Sequence, residues 1–164
     1  KKTGVEIDNY IHGGAQEHGY RAGTENIAAI VGMATALKNN MKNIHVNQAT
    51  LKELDNYLMQ ELSVSGLQYI RNGNPDNRLP GNISLSFNGA DGETLLHRLD
   101  LKGISVSTGA ACDSVNTQIS HVLSAISLDR EYAEGTIRIS LGKENTFDDV
   151  KYIVAALTNI LKRH

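Results

Sequence analysis

Along residues 82–161 the spacing of hydrophobic side chains switches repeatedly between two residues and about 3.6, so helices and strands must share one core. Asn82-Ile83-Ser84-Leu85-Ser86-Phe87 alternates apolar with polar and stops at Asn88-Gly89, which predicts a half-buried strand. Asp91 then caps a helix carrying Leu95, Leu96 and Leu99, and Gly103 releases the chain into a short strand at Ile104-Ser105-Val106-Ser107. A helix bearing Ile119, Val122, Leu123 and Ile126 precedes a second period-two run, Thr136-Ile137-Arg138-Ile139-Ser140-Leu141. Thr146 and Asp149 form an approximate capping box, with Asp in place of the usual Glu, for a last helix whose Val150, Ile153, Val154, Leu157, Ile160 and Leu161 share a face. The expected fold class is α/β, as a two-layer α+β domain.

The first 80 residues carry weaker signals. Five glycines between Gly4 and Gly23, among few apolar residues, predict a loop that leads into a helix. Ile27, Ile30, Val31, Ala34 and Leu37, then Leu51, Leu54, Leu58 and Leu62, predict two helices or one long bent helix. Val64–Ile70 is expected to hold a short strand, and Asn72–Asn77 a turn or mobile loop with no visible chemistry. The opening Lys1-Lys2-Thr3-Gly4 reads as the middle of a longer protein, so a fragment is expected.

Charge and composition narrow the function. Lys and Arg number 16 against 18 Asp and Glu, a net charge of −2, so nothing asks for a polyanionic partner and nucleic acid is not expected. Apolar runs such as Ile27–Val31 fall far short of the ~20 residues that span a bilayer, so no membrane is expected. A single cysteine excludes an internal disulfide or a multi-thiolate zinc site, and the six histidines lack the H-x-x-x-H spacing of a metal site.

Three places have chemistry to offer. Cys112 lies in Ser107-Thr108-Gly109-Ala110-Ala111-Cys112-Asp113-Ser114, a run almost free of bulky side chains, as suits a thiol nucleophile on an accessible loop. The bland alternative is a small buried side chain, and since Asp113 raises a thiol pKa, activation must come from His121 or a cation. Arg138 alternates with Ile137 and Ile139, which points it to a pocket floor, where it can grip a carboxylate, or to a solvated strand face. Gly23-Thr24 at a helix start is either a phosphate-binding turn or a plain N-cap, and its spacing matches neither the P-loop nor the dinucleotide fingerprint.

Taken together, His12-Gly13-Gly14-Ala15-Gln16-Glu17 with Arg21-Ala22-Gly23-Thr24-Glu25-Asn26, then Ser107–Cys112, then Thr136–Gly142 with Asn145-Thr146 resemble the cysteine desulfurase family, of the class V aminotransferase fold. The resemblance covers nearly the whole chain but only the C-terminal part of such an enzyme. It implies the truncated small domain of a fold type I enzyme dependent on pyridoxal 5′-phosphate (PLP). Residues 1–25 would be a remnant of the large domain, 26–40 the connecting helix and 41–164 the small domain. It further implies that L-cysteine gives L-alanine and a persulfide on Cys112, passed to a sulfur-acceptor protein. Arg138 would hold the substrate carboxylate, and Thr24 would reach the PLP phosphate across a homodimer interface. A cytoplasmic role in iron–sulfur cluster assembly or tRNA thiolation is implied as well. Ala15, His18 and Asp113 depart from the commoner family residues without removing a named role. The lysine that bonds the cofactor, with the His and Asp that flank its ring, lies upstream of residue 1 in the family, so the isolated chain is expected to be inactive. Other readings are a selenocysteine lyase, a class V aminotransferase, or a non-catalytic module that binds a sulfur acceptor.

Overall fold

The computed structural model describes residues 3–108 and 119–162, and the chain divides into two compact units, Lys1–Ile44 and His45–His164. In the first, the glycine-rich segment folds onto itself. Its turn at Glu17–Gly19 is closed by the Gly19 N–H donating to the carbonyls of Ala15 at 3.1 Å and Gln16 at 3.0 Å, while the Asn9 amide donates to the Gly19 carbonyl. Ala22 is buried beneath it, and its N–H donates to the Ile11 carbonyl at 3.3 Å.

Helix α1, Ile27–Ser65, is one continuous helix of 39 residues, which settles the choice between two helices and one. Its first turns carry exposed Ile27, Ile30, Val31, Met33, Leu37 and Met41. Its later turns bury Leu54, Leu58 and Leu62, spaced four apart on one stripe.

The second unit continues with β1 (Tyr69–Arg71), β2 (Asn82–Phe87), α2 (Gly92–Asp100), β3 (Ser107–Thr108), α3 (His121–Ala125), α4 (Arg130–Glu134), β4 (Thr136–Ser140) and α5 (Phe147–Leu161). The strands form one sheet in the order β1-β2-β4-β3, every neighbouring pair antiparallel. Ile83 faces Ile139 and Leu85 faces Ile137. These residues and Phe87 form one apolar face, which joins Leu54, Leu58 and Leu62 of α1, Leu95 and Leu99 of α2, and Val150, Ile153, Val154 and Leu157 of α5 in a single core. Each fully buried Leu or Ile there contributes roughly 1.5–3 kcal/mol relative to exposure. The result is a helical layer against a small antiparallel sheet, the expected α+β arrangement.

Caps fix where the helices start. The Asp91 carboxylate accepts from the Thr94 N–H at 2.7 Å, and hydrogen bonds from the Thr94 side chain and then from this N–H hold the Asp91 pKa below its ordinary value. The capping box of α5 is present: the Thr146 N–H donates to the Asp149 carboxylate at 2.8 Å and the Asp149 N–H donates to the Thr146 hydroxyl at 3.3 Å; the bond from the Thr146 N–H, then those from the Thr146 and Asn145 side chains, lower the Asp149 pKa.

Several boundaries differ from those the spacing predicts. Val64 lies in the last turn of α1 and is 79% exposed, so the following strand is only Tyr69–Arg71. The strand expected at Ile104–Ser107 lies at Ser107–Thr108, because only those residues pair with β4. The helix after it is short, since Ser120 caps it by accepting from the Val122 N–H at 3.3 Å and Ile119 stays outside. Helix α4 is an addition, invisible to periodicity because Ala133 is its one buried residue.

Beside the core, Asp55 of α1 is buried and accepts from Arg71 of β1 at 2.5 Å. Arg78 donates to the carbonyls of Asn72 at 3.3 Å and Asn82 at 3.4 Å. Burial, then the charge of Arg71, lowers the Arg78 pKa, with Asp55 opposing.

Candidate active site

The face of the sheet opposite the core is polar, and β4 sets its centre. Alternation that sends Ile137 and Ile139 inward sends Arg138 to the other side, where its register partners are Ser84 of β2 and Ser107 of β3. The Arg138 side chain is half-buried. One terminal nitrogen donates to the Ser107 hydroxyl at 3.5 Å, and its Nε is buried without a partner among the described residues. A guanidinium has five N–H donors in a rigid fork, so this one keeps donors for a planar anion such as a carboxylate. Of the two orientations open at the sequence level, the structure therefore gives neither a sealed pocket nor a fully solvated face, but a flanked, partly desolvated position.

A network of hydrogen bonds that the sequence did not reveal stiffens this face. The Asn72 amide donates to the hydroxyls of Ser84 at 3.0 Å and Ser86 at 2.8 Å; Ser86 and Thr136 hydroxyls lie 2.6 Å apart, and Thr136 donates to the Tyr132 carbonyl at 3.1 Å. Asn72 is only 8% exposed, although it opens a segment whose composition predicted a plain turn. Its link to Ser84 and Ser86 is a long-range pairing with no local signature.

Cys112 lies outside the described residues. The strand that leads to it is held at its end, where the Thr108 hydroxyl donates to the Glu93 carboxylate at 2.6 Å. His121, the other side chain considered for activating the thiol, is exposed at the start of α3.

Thr24 belongs to the first unit, and its position corrects one reading. The helix cap is Asn26, whose side-chain oxygen accepts from the Ala29 N–H at 3.1 Å, so Thr24 precedes the cap and is not the N-cap itself. The Thr24 carbonyl accepts from Arg21 at 3.0 Å, while the Gly23 N–H donates to the Gln16 side chain at 3.2 Å. The Thr24 hydroxyl is exposed and holds no hydrogen bond among the described residues. A cleft of about 290 Å³ in the same unit is lined by Glu17, Arg21 and Glu25 along with apolar residues. Its two carboxylates against one guanidinium disfavour an anion within it.

Among the described residues no three His, Cys, Asp or Glu side chains gather as a metal site, and no helix is long and apolar enough to cross a membrane.

The chain resembles known proteins in sequence and in fold. The chain is 44% identical over 164 residues to a cysteine desulfurase IscS of Clostridium botulinum, a match covering 99% of this chain and 41% of that protein. A solved NifS-like protein is 36% identical with a TM-score of 0.82, over 99% of this chain and 41% of its own. A NifS-like protein from Rickettsia africae is 32% identical with a TM-score of 0.82, over 96% and 41%. The chain thus spans about two fifths of the length of these relatives. The aminotransferase class-V profile matches residues 2–153, nearly the whole sequence, and the chain belongs to the class-V aminotransferase family.

Proposed function

We propose that this chain is the C-terminal part of a PLP-dependent cysteine desulfurase, which converts L-cysteine to L-alanine and leaves the sulfur as a persulfide on Cys112. One observation carries the reading: Arg138, half-buried with unused donors, stands beside Ser107, the residue that opens the strand running into the Cys112 segment. Cys112 lies four residue steps beyond Thr108, at most about 14 Å of extended chain. A thiol on that tether has the reach to meet a substrate whose carboxylate Arg138 holds.

In this mechanism the Arg138 fork pairs with the substrate carboxylate through parallel charge-assisted hydrogen bonds. The Cys112 thiolate forms a bond to the substrate sulfur as the carbon–sulfur bond breaks, and the electron pair stays with the carbon, which then takes a proton to become alanine. Bound PLP supplies the sink for that pair. The exposed, unbonded Thr24 hydroxyl fits a phosphate oxygen, and it is the group assigned to the cofactor, reaching it in the second subunit of a homodimer. No lysine here matches the one that bonds the cofactor, so the isolated chain is inactive. Residues 1–25, 26–40 and 41–164 are assigned to a large-domain remnant, the connecting helix and the small domain. The complete enzyme is assigned to the cytoplasm, delivering sulfur to an acceptor protein for iron–sulfur assembly or tRNA thiolation.

The test is alanine formation from L-cysteine by the complete polypeptide and its Cys112→Ala variant. Loss of turnover in the variant with cofactor still bound is expected. Turnover that survives the substitution refutes the assignment and fits an aminotransferase or a selenocysteine lyase.

A further inference from the structure

We propose that Ser107 is a positioning residue for Arg138, fastening the guanidinium to the root of the Cys112 segment so that its remaining donors face the substrate carboxylate. Ser107 acts this way only if Arg138 takes the carboxylate, as proposed above. Directly paired residues of an antiparallel sheet carry side chains on the same face, with Cβ atoms about 4.5–5.5 Å apart. Ser107 and Arg138 are such a pair, and the Ser107 hydroxyl accepts from one terminal nitrogen of Arg138 at 3.5 Å. The guanidinium is planar, so a tether at one nitrogen sets the direction of the whole fork. Its Nε is buried and unpartnered among the described residues.

The opposite flank does not serve in the same way. Ser84 is also in register with Arg138, but its hydroxyl is engaged by the Asn72 amide at 3.0 Å. The two serines are thus matched in type and register and differ in whether they hold the arginine, which makes Ser84 an internal control.

The experiment compares Ser107→Ala, Ser107→Thr, Ser84→Ala and Arg138→Lys in the complete PLP-loaded enzyme, measuring kcat and KM for L-cysteine and, by calorimetry, Kd for L-alanine as a carboxylate ligand without the sulfur. Ser107→Ala is expected to raise both KM and Kd about fivefold to tenfold, as loss of one ordinary hydrogen bond does, with kcat within about twofold. Ser107→Thr restores both constants, and Ser84→Ala leaves them unchanged. An unchanged KM and Kd in Ser107→Ala, while Arg138→Lys raises them, overturns the role of Ser107 and leaves Arg138 in place. A rise in Ser107→Ala that Thr does not rescue, or that Ser84→Ala reproduces, also overturns it, since it marks general disturbance of the sheet. Constants unmoved by Arg138→Lys remove the carboxylate assignment and the Ser107 proposal with it.

Discussion

Asp55→Ala removes a buried carboxylate set against the guanidiniums of Arg71 and Arg78 at the edge of the core. Asp55 is 4% exposed and accepts from Arg71 at 2.5 Å; the Arg71 side chain is 19% exposed, its Nε is buried without a partner among the described residues, and Arg78 stands close enough for Arg71 to lower its pKa. Removing the partner of a buried charge costs about 3–5 kcal/mol, and the residual exposure of Arg71 puts the loss near the lower end, about 3 kcal/mol. At about 3 °C per kcal/mol for a protein of this size, Tm falls by roughly 9 °C. Differential scanning calorimetry reads the shift, and a second variant separates burial from pairing. Asp55→Leu combined with Arg71→Met removes both charges together and is expected to stay within about 1 kcal/mol of the parent, because the desolvation cost of the pair goes with it. A drop below about 3 °C for Asp55→Ala, or a double variant as unstable as the single one, would refute the reasoning.

Gly135→Ala is expected to destabilise by about 3 kcal/mol in urea unfolding, the upper range for overpacking. An added Cβ would lie 2.1 Å from the Phe87 carbonyl oxygen and 3.0 Å from that of Ala90, and both obstacles are backbone. A loss under about 1 kcal/mol would show that the junction of α4 and β4 gives way easily. The lowered pKa values of Asp91 and Asp149 predict an acid limb. Between the folded and the ordinary carboxyl values the unfolded chain binds more protons, so stability rises with pH there; the contribution is complete above about pH 4 and is lost as pH falls through the depressed values. Tm measured from pH 2 to 6 should show this limb, and Asp91→Asn with Asp149→Asn should flatten it; an unchanged limb would assign acid sensitivity to other carboxylates.

The sequence revealed elements wherever one face is apolar and its ends are punctuated. Strands β2 and β4 alternate strictly, and α5 announces itself by Thr146 and Asp149, so each was legible without tertiary information. Elements held by partners rather than by pattern were not. Helix α4 buries only Ala133, and β3 is set by pairing to β4 and not by the apolar Ile104 and Val106 that drew the expected strand earlier. Thr24 and Asn26 are both good capping residues, and only the bond to the Ala29 N–H decides between them. At the candidate site, the alternation of Ile137, Arg138 and Ile139 set the arginine on the polar face, yet its neighbours come from residues 31 and 54 positions away, at Ser107 and Ser84. Asn72 and Asp55 carry the same lesson: each is a polar residue buried by a distant partner, and no local spacing marks either.

The most direct measurement is mass spectrometry of the peptide containing Cys112, taken from the complete PLP-loaded protein after brief incubation with L-cysteine and trapping with an alkylating reagent. A gain of about 32 Da on Cys112, with L-alanine released in step and the adduct lost on reduction, is the expected result. An unmodified Cys112 in a protein that turns over L-cysteine would contradict the assignment of this chain as the sulfur-carrying part of a cysteine desulfurase.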